Sequence, residues 1–223
     1  MEYVYVKPTV YYDEICMHYL NTVEFDAIVI HHPMWTRHYS SYYPRSNKSL
    51  EEHIDFIKKN HIKKAIVVAE DLHFLEQCPE LEYIDINPAY NIDPADFFSP
   101  LYQLKNLKIL SVDTSYGPSA NQFASIDYSF LNGQEQISLL GSKGHLNLHR
   151  LQNVKAARFH DYPKAESLDG AIPYESLQAL WMATSTIRSL DGIQKATNLR
   201  RLELYYNRSL SDISALGDRK SVV

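Results

Sequence analysis

The stretch Leu199 to Leu210 reads Leu-Arg-Arg-Leu-Glu-Leu-Tyr-Tyr-Asn-Arg-Ser-Leu, and its leucines fall at fixed intervals. Leu202 and Leu204 are two residues apart, so on a β-strand both side chains point to the same face and into one core. Leu199 reaches that core from the turn before the strand. Asn207 follows where the chain bends away, and its side chain can bond backbone groups that a bend leaves unpaired. The stretch therefore predicts a short strand with one buried face, followed by a turn that an asparagine stabilises.

The same spacing recurs along the chain, which indicates a repeat rather than an isolated strand. Seven earlier triplets occupy the places of the three leucines: Phe25–Ile28–Ile30, Ile62–Ala65–Val67, Leu81–Ile84–Ile86, Leu107–Leu110–Val112, Ile137–Leu140–Ser142, Val154–Ala157–Phe159 and Leu180–Ala183–Ser185. Their starts and that of the last copy are 37, 19, 26, 30, 17, 26 and 19 residues apart. Apolar segments between the strands are predicted to form the returning side: Phe97-Phe98 with Leu101 and Leu104, Leu168–Gly170, Leu190–Ile193, and Leu210 with Ile213 and Leu216. Because each repeat buries its face only against its neighbours, one elongated domain is expected.

On these residues the chain resembles the bacterial leucine-rich repeat family over roughly residues 62 to 217, and the best match is Leu199 to Asn207. The resemblance implies an α/β solenoid with a curved parallel β-sheet on its concave side. It also implies helices, 3-10 turns and loops on the convex side, and a ligand-binding role for the concave sheet. Cys78 stands where the family often has a small buried residue, so we interpret it as a packing residue and not as a nucleophile.

Three regions follow from this interpretation. Residues 1–61 are predicted to form an N-terminal cap and an irregular first repeat, with a strand at 2–6, a helix beginning near Asp13 and a helix over 49–60. Ser49 and Glu52 have the spacing of a capping box at the start of the second helix, and Asn60 suits its end. The Tyr- and His-rich loop 31–45 suits either ligand contact or packing on the first coil. Residues 62–217 are the repeats. The chain breaks off after a returning segment, which predicts a C-terminally truncated fragment. The tail 218–223 resembles the translation of a sequencing adapter and is predicted to be non-native.

Composition excludes several classes of function. A net charge of -5 and a pI near 6.0 give no basic footprint for nucleic acid. No run of residues approaches the 18 apolar residues of a membrane span, and the N-terminus has no apolar secretion segment. The two cysteines cannot form a disulfide framework. We therefore predict a cytoplasmic protein that does not contact a membrane.

No set of residues typical of catalysis is found. The sequence has no phosphate-binding glycine loop, no H-E-x-x-H helix and no G-x-S-x-G elbow. Glu51 and Glu52 fall on a solvated helix face. His145 and His149 have a spacing that holds a metal on a helix, but their segment is short and flanked by glycine. The sequence therefore predicts a protein that is not an enzyme and that has no metal or small-molecule cofactor.

The remaining candidate is the outward face of the sheet. If the fourth and sixth positions of each repeat point inward, the third, fifth and seventh point outward. Mixed charges and aromatic side chains in such a strip suit a protein or peptide partner. The predicted partner-binding residues are Tyr83, Asp85, Ser111, Asp113, Arg158, His160, Met182, Thr184, Arg201, Glu203 and Tyr205.

Two functions fit these observations. The first is a non-catalytic intracellular repeat protein that binds a protein or peptide on its concave sheet, with a regulatory or antitoxin-like role as one option. The alternative is the substrate-recognition part of an enzyme whose catalytic domain lies beyond the truncated C-terminus.

Overall fold

The computed structural model describes residues 5–6, 27–31, 48–88, 96–114, 125–141 and 143–217. These residues form an α/β fold of mostly parallel strands, with one α-helix and several short 3-10 turns among them. They divide into a first compact unit that ends at Asp113 and a second that starts at Thr114. The division falls inside the range 62–217 that the sequence assigns to one array. The helix near Asp13, nearly all of the loop 31–45 and the tail 218–223 lie outside the described residues.

The first unit contains parallel strands in the order in which they occur in the chain. Its strands are β1 (Tyr5–Val6), β2 (Ala27–His31), β3 (Lys64–Ala69), β4 (Tyr83–Pro88) and β5 (Ile109–Asp113). β1 pairs antiparallel with β2, and β2 to β5 pair parallel in chain order. Two buried rows cross β2 to β5 in register, Ile28–Ala65–Ile84–Leu110 and Ile30–Val67–Ile86–Val112. The described members of the predicted apolar triplets in this unit are therefore in the correct register, and Phe25, the first member of the earliest triplet, lies outside the described residues.

Helix α1 (Leu50–Asn60) has the predicted capping box. The Glu52 backbone N–H donates to Ser49 Oγ at 3.2 Å, and the Ser49 backbone N–H donates to Glu52 Oε2 at 2.8 Å. The helix ends at Asn60 as expected, although His61 and not Asn60 takes the left-handed conformation that closes it. Two 3-10 turns, His73–Gln77 and Ser99–Gln103, return the chain after β3 and β4. The return segments bury the predicted residues Cys78, Phe97, Phe98, Leu101 and Leu104, and with them Leu72, Phe74 and Leu75.

The second unit has the same alternation of short strands and returning turns. β7 (Gln136–Leu140), β9 (Ala156–His160), β10 (Ala179–Ala183) and β11 (Arg201–Tyr205) pair parallel in this order. β6 (Ile126–Asp127) and β8 (His145–Leu146) form a separate parallel pair. Its 3-10 turns are Tyr128–Phe130, Leu148–Arg150, Ile193–Lys195 and Ser214–Leu216.

The register of β7 and β10 differs from the prediction by three residues. Leu180 pairs with Leu202 and Met182 with Leu204, so the triplet of this repeat is Leu177–Leu180–Met182. By the same comparison with β9, the triplet at β7 is Gln134–Ile137–Leu139. The prediction Leu180–Ala183–Ser185 was wrong because Leu180 fits the first position as well as Leu177 fits it. The repeat starts at 134, 154, 177 and 199 are now 20, 23 and 22 residues apart, which is more even than the predicted spacing.

A repeated backbone hydrogen bond supports this register. The carbonyl of Lys63, at the second position of its repeat, accepts from the N–H groups of Glu82 at 2.8 Å and Tyr83 at 3.0 Å. The same arrangement recurs at the carbonyls of Glu82, Glu135, Lys155 and Gln178. The carbonyl at the second position of each of these repeats thus accepts the same pair of backbone hydrogen bonds from the start of the next strand. Side chains at this second position also pair across repeats: Lys63 with Glu82 at 2.6 Å, Lys108 with Glu82 at 2.7 Å, and Lys155 with Glu135 at 2.7 Å.

Candidate functional site

In the first unit, the outward face of the sheet is largely buried. Ile66 and Val68 of β3 are 0% exposed, and Tyr83 of β4 is 1% exposed. The prediction that Tyr83 lies on an open partner-binding strip is therefore wrong. The physical reason is that β3 is apolar on both faces, as is typical of parallel strands that are covered on both sides.

Asp85, Ser111 and Asp113 do lie together on this outward face, and all three are half-buried. Burial raises the pKa of Asp85 to about 7, a hydrogen bond from Ser111 opposes this change, and the charge of Asp113 adds to it. Asp85 therefore exchanges its proton near neutral pH. The three residues therefore lie together as predicted, but their neighbours on the outward face, Ile66, Val68 and Tyr83, are buried.

In the second unit, the corrected register removes two residues from the predicted strip. Met182 occupies an inward position and is 0% exposed, so its prediction as a partner-binding residue is wrong. Thr184 lies beyond β10 with a positive φ of 58°, where its hydroxyl serves the turn. Thr184 Oγ1 accepts from the Asp161 N–H at 3.0 Å and donates to the Ala183 carbonyl at 2.7 Å.

The residue that takes the outward place on β10 is Trp181, which the sequence analysis missed. Trp181 pairs in register with Arg158 on β9 and with Glu203 on β11. Its ring lies 6.5 Å from that of His160 at an interplanar angle of 18°, and 5.5 Å from that of Tyr205 at 32°. The guanidinium carbon of Arg158 lies over the indole, 4.4 Å from its centroid. Even repeat spacing was the signal that would have placed Trp181 on this face.

Ionic contacts complete the arrangement at the β11 side. Arg201 forms an ion pair with Glu203 Oε1, and the Tyr205 hydroxyl donates to Glu203 Oε2 at 2.9 Å. This hydrogen bond to a carboxylate raises the pKa of Tyr205. Trp181, Arg158, Arg201 and Glu203 are half-buried, and Tyr205 is 45% exposed. We call the set the Trp181 cluster; its members are Arg158, His160, Trp181, Arg201, Glu203 and Tyr205.

Alanine at the neighbouring outward positions leaves room for these large side chains. Ala156, Ala179 and Ala183 are buried although they face the same side of the sheet. A small residue is covered in this way when its larger neighbours on the sheet lean over it. The cluster is thus packed onto the strands rather than extended into solvent.

The turn after β11 has the predicted role for Asn207. Its Oδ1 accepts from the backbone N–H of Ser185 at 2.9 Å and from the Ser185 hydroxyl at 2.7 Å. Its Nδ2 donates to the Met182 carbonyl at 3.3 Å. The prediction that this side chain bonds groups freed by a bend is confirmed.

The remaining sequence candidates are structural. Cys78 is buried, and burial raises the pKa of its thiol to about 11, which agrees with a packing role. His145 lies on β8 and His149 in a 3-10 turn, so the two do not share a helix. His145 Nδ1 lies 3.0 Å from the Tyr128 hydroxyl, and burial lowers the pKa of His145 to about 4.

In the described part of the chain, no three or more His, Cys, Asp or Glu side chains are grouped in a way that could hold a metal ion. No helix in the described ranges combines the length and the apolar composition needed to cross a bilayer.

Neither protein-family models nor curated protein sequences match this chain. Its function is therefore inferred from the arrangement of its own residues.

Proposed function

We propose that this chain is a non-catalytic repeat protein of the leucine-rich type that binds a protein or peptide partner through the Trp181 cluster. The observation that carries the proposal is the contact of Trp181 with Arg158, His160 and Tyr205 on one sheet face. Tryptophan, tyrosine and arginine are the residues that most often dominate the binding energy at protein interfaces.

The cluster is ordered before a partner arrives. Ring contacts of this kind contribute about 0.5–1.5 kcal/mol each, and an exposed cation–π contact about 0.5–1 kcal/mol. Immobilising a side chain at an interface costs about 0.5–1.5 kcal/mol. Contacts within the cluster already restrict these side chains. Immobilising them when a partner binds therefore costs less free energy.

The repeat pattern supports the same surface. In the second unit the fourth and sixth positions of the inner repeats are buried, and the cluster occupies third, fifth and seventh positions. In a leucine-rich repeat solenoid this face is the concave one, which the family resemblance associates with ligand binding. We extend the proposal to that architecture and to an intracellular location.

Affinity capture with variant proteins tests the proposal. The full chain is used as bait in three forms: the natural sequence, Trp181→Ala, and the control Tyr206→Ala, whose side chain is 77% exposed and outside the cluster. Loss of a tryptophan hot spot costs about 2 kcal/mol or more, so we expect Trp181→Ala to weaken binding of the captured partner about 30-fold. Tyr206→Ala should bind as the natural chain does.

A second variant distinguishes a loss of binding from a loss of folding in Trp181→Ala. Tyr205→Ala removes a more exposed ring of the cluster and should weaken the same partner, with an unchanged circular dichroism spectrum and thermal midpoint. Capture of the same partners at the same affinity by both cluster variants would contradict the proposal.

A further inference from the structure

We propose that a cavity in the first unit binds a small organic cation, in which an ammonium group is joined to a hydrocarbon part. The cavity belongs to the first unit and the Trp181 cluster to the second, so binding of this cation does not require the partner proposed above. Three features support the site: the volume of the cavity, its apolar lining and the charges around it.

The cavity lies where two parallel strands end and helix α1 begins. Ile30 lies near the end of β2, and Val68 and Ala69 end β3. Ser49, the N-cap of α1, also lines the cavity. In open sheets of parallel strands, ligands commonly bind beyond the carboxyl ends of the strands. This position therefore suits a binding site in a fold of this kind.

The cavity has the size and the lining of a site for a small molecule. Its volume is about 450 Å³, within the roughly 300–1,000 Å³ that is usual for ligand pockets. Its lining includes the apolar residues Ile30, Leu50, Val68, Ala69 and Phe74, and all of these except Leu50 are buried. A hydrocarbon group placed against this lining is removed from water, which stabilises the complex through the hydrophobic effect.

Glu70 gives the cavity a negative charge that no neighbour balances. It lies in the lining directly after β3 and is half-buried. Among the residues that the structure describes, none forms an ion pair or a hydrogen bond with its carboxylate. A carboxylate that is partly removed from water without a partner costs free energy. A bound cation would supply the missing ion pair.

The other lysine and carboxylate of the lining are already paired. Lys48 Nζ lies 2.8 Å from Glu52 Oε1, and Asp71 Oδ1 lies 2.5 Å from His73 Nδ1. Glu70 therefore determines the sign of the charge that a ligand in the cavity should carry.

The start of helix α1 does not favour an anion here, although helix starts commonly do through their unpaired N–H groups. Ser49 Oγ accepts from the Glu52 N–H at 3.2 Å, and Glu51 and Glu52 place two negative charges in the first turn. His53, which also lines the cavity, has its Nδ1 2.8 Å from the Ser49 carbonyl oxygen. A carboxylate or phosphate ligand is therefore disfavoured relative to a cation.

Isothermal titration calorimetry of the full chain at pH 7 with three probes tests the proposal. The probes are phenethylammonium, 2-phenylethanol and phenylacetate, which share a phenyl ring and differ in the charge of the polar end. We expect phenethylammonium to bind about tenfold more tightly than 2-phenylethanol, because only the ammonium forms a charge-assisted contact with Glu70. Phenylacetate should bind most weakly.

Two variants and a control assign the binding to the cavity. Glu70→Gln should bring phenethylammonium to the affinity of 2-phenylethanol, because it removes the charge and keeps the volume of the side chain. Ala69→Leu should weaken both probes about tenfold or more, because the larger side chain occupies part of the cavity. The control Glu76→Gln, at an exposed carboxylate of the following 3-10 turn, should change neither affinity. Circular dichroism checks that each variant is folded.

Equal affinities for phenethylammonium and 2-phenylethanol, tighter binding of phenylacetate, or no measurable binding of any probe would overturn the inference. Binding of phenethylammonium that Glu70→Gln leaves unchanged would overturn it as well, since the ammonium would then lie elsewhere. Trp181→Ala should bind this probe as the natural chain does. Loss of binding in Trp181→Ala would assign the probe to the Trp181 cluster and not to the cavity, and would leave the proposed function intact.

Discussion

At the fifth position of the repeat, the first unit has Ile66 and Asp85, and the second has Arg158 and Trp181. All four side chains point outward from parallel strands. Ile66 is fully buried, and Asp85 is held in surroundings that raise the pKa of its carboxyl to about 7. Arg158 and Trp181 are half-buried and in contact with each other. The difference shows that repeat register determines the direction of a side chain, whereas its exposure depends on what covers that face.

The largest expected effect comes from truncating equivalent outward residues in the two units. Ile66→Ala should lower the free energy of unfolding by about 2–5 kcal/mol, because it leaves a cavity where a fully buried side chain was packed. Arg158→Ala, at the same repeat position, should lower it by less than about 1 kcal/mol because that side chain is half-exposed. Urea denaturation followed by circular dichroism measures both values. Equal losses for the two variants would show that the outward faces do not differ.

An intermediate effect is expected from pH, through Asp85. Its pKa is raised by burial, so the folded state holds the proton more tightly than the unfolded state does. The stability that this group contributes is therefore fully present below about pH 4 and is lost as pH rises through about 7. Asp85→Asn should remove this contribution to the pH profile and raise the free energy of unfolding at pH 8 by about 2 kcal/mol, a value reduced for the partial exposure of the side chain.

The matched control for this pH effect is Asp169→Asn in the second unit. A hydrogen bond from Lys195 lowers the pKa of Asp169. The contribution of this carboxyl to stability therefore changes with pH in the opposite direction to that of Asp85. Between about pH 4 and 7, Asp169→Asn should keep the pH dependence of the natural chain, in which buried His145, whose pKa is lowered to about 4, acts in the opposite direction to Asp85. A difference in the free energy of unfolding between the natural chain and Asp85→Asn that stays constant across that window would contradict the buried environment assigned to Asp85.

The smallest effect is expected at Glu82, a second carboxyl of the first unit whose pKa is shifted in the opposite direction to that of Asp85. Burial alone would raise the pKa of Glu82, but hydrogen bonds from Lys108 and Lys63 lower it overall. Its contribution is therefore present above the unfolded pKa and is lost as pH falls, in the opposite direction to that of Asp85. Glu82→Gln should cost less than about 1 kcal/mol, and about 1 M NaCl should remove most of that cost. The exposed Glu51→Gln is the control, and a larger loss for it than for Glu82→Gln would show that the lysine pairs contribute nothing.

Local signals allowed much of the fold to be predicted from the sequence. The capping box of Ser49 and Glu52 was correct because both of its hydrogen bonds lie within one turn of helix. Asn207 was correct because an asparagine after a strand has few other backbone partners within reach. The triplets at β3 to β5, β9 and β11 were correct, as were Ile28 and Ile30 at β2, since in each the alternation of apolar residues fits one register well.

Errors arose where the local signal was ambiguous or where a distant contact decided the outcome. Leu177 and Leu180 both suit the first position of a repeat, and choosing the second placed Met182 outward and hid Trp181. The burial of Tyr83 depends on tertiary cover, which repeat spacing does not encode. The continuous apolar run Ala65–Ala69 was nevertheless a visible sign that β3 is buried on both faces.

Hydroxyl-radical footprinting read by mass spectrometry tests the central contrast most directly. In the free chain, Tyr205 at 45% exposure and the half-buried Trp181 should be oxidised, whereas Tyr83 at 1% exposure should be protected. Addition of a peptide that binds the chain should then protect Trp181 and Tyr205 and leave Tyr83 unchanged. Oxidation of Tyr83 as fast as Tyr205 in the free chain, or binding that leaves Trp181 and Tyr205 fully reactive, would contradict the account.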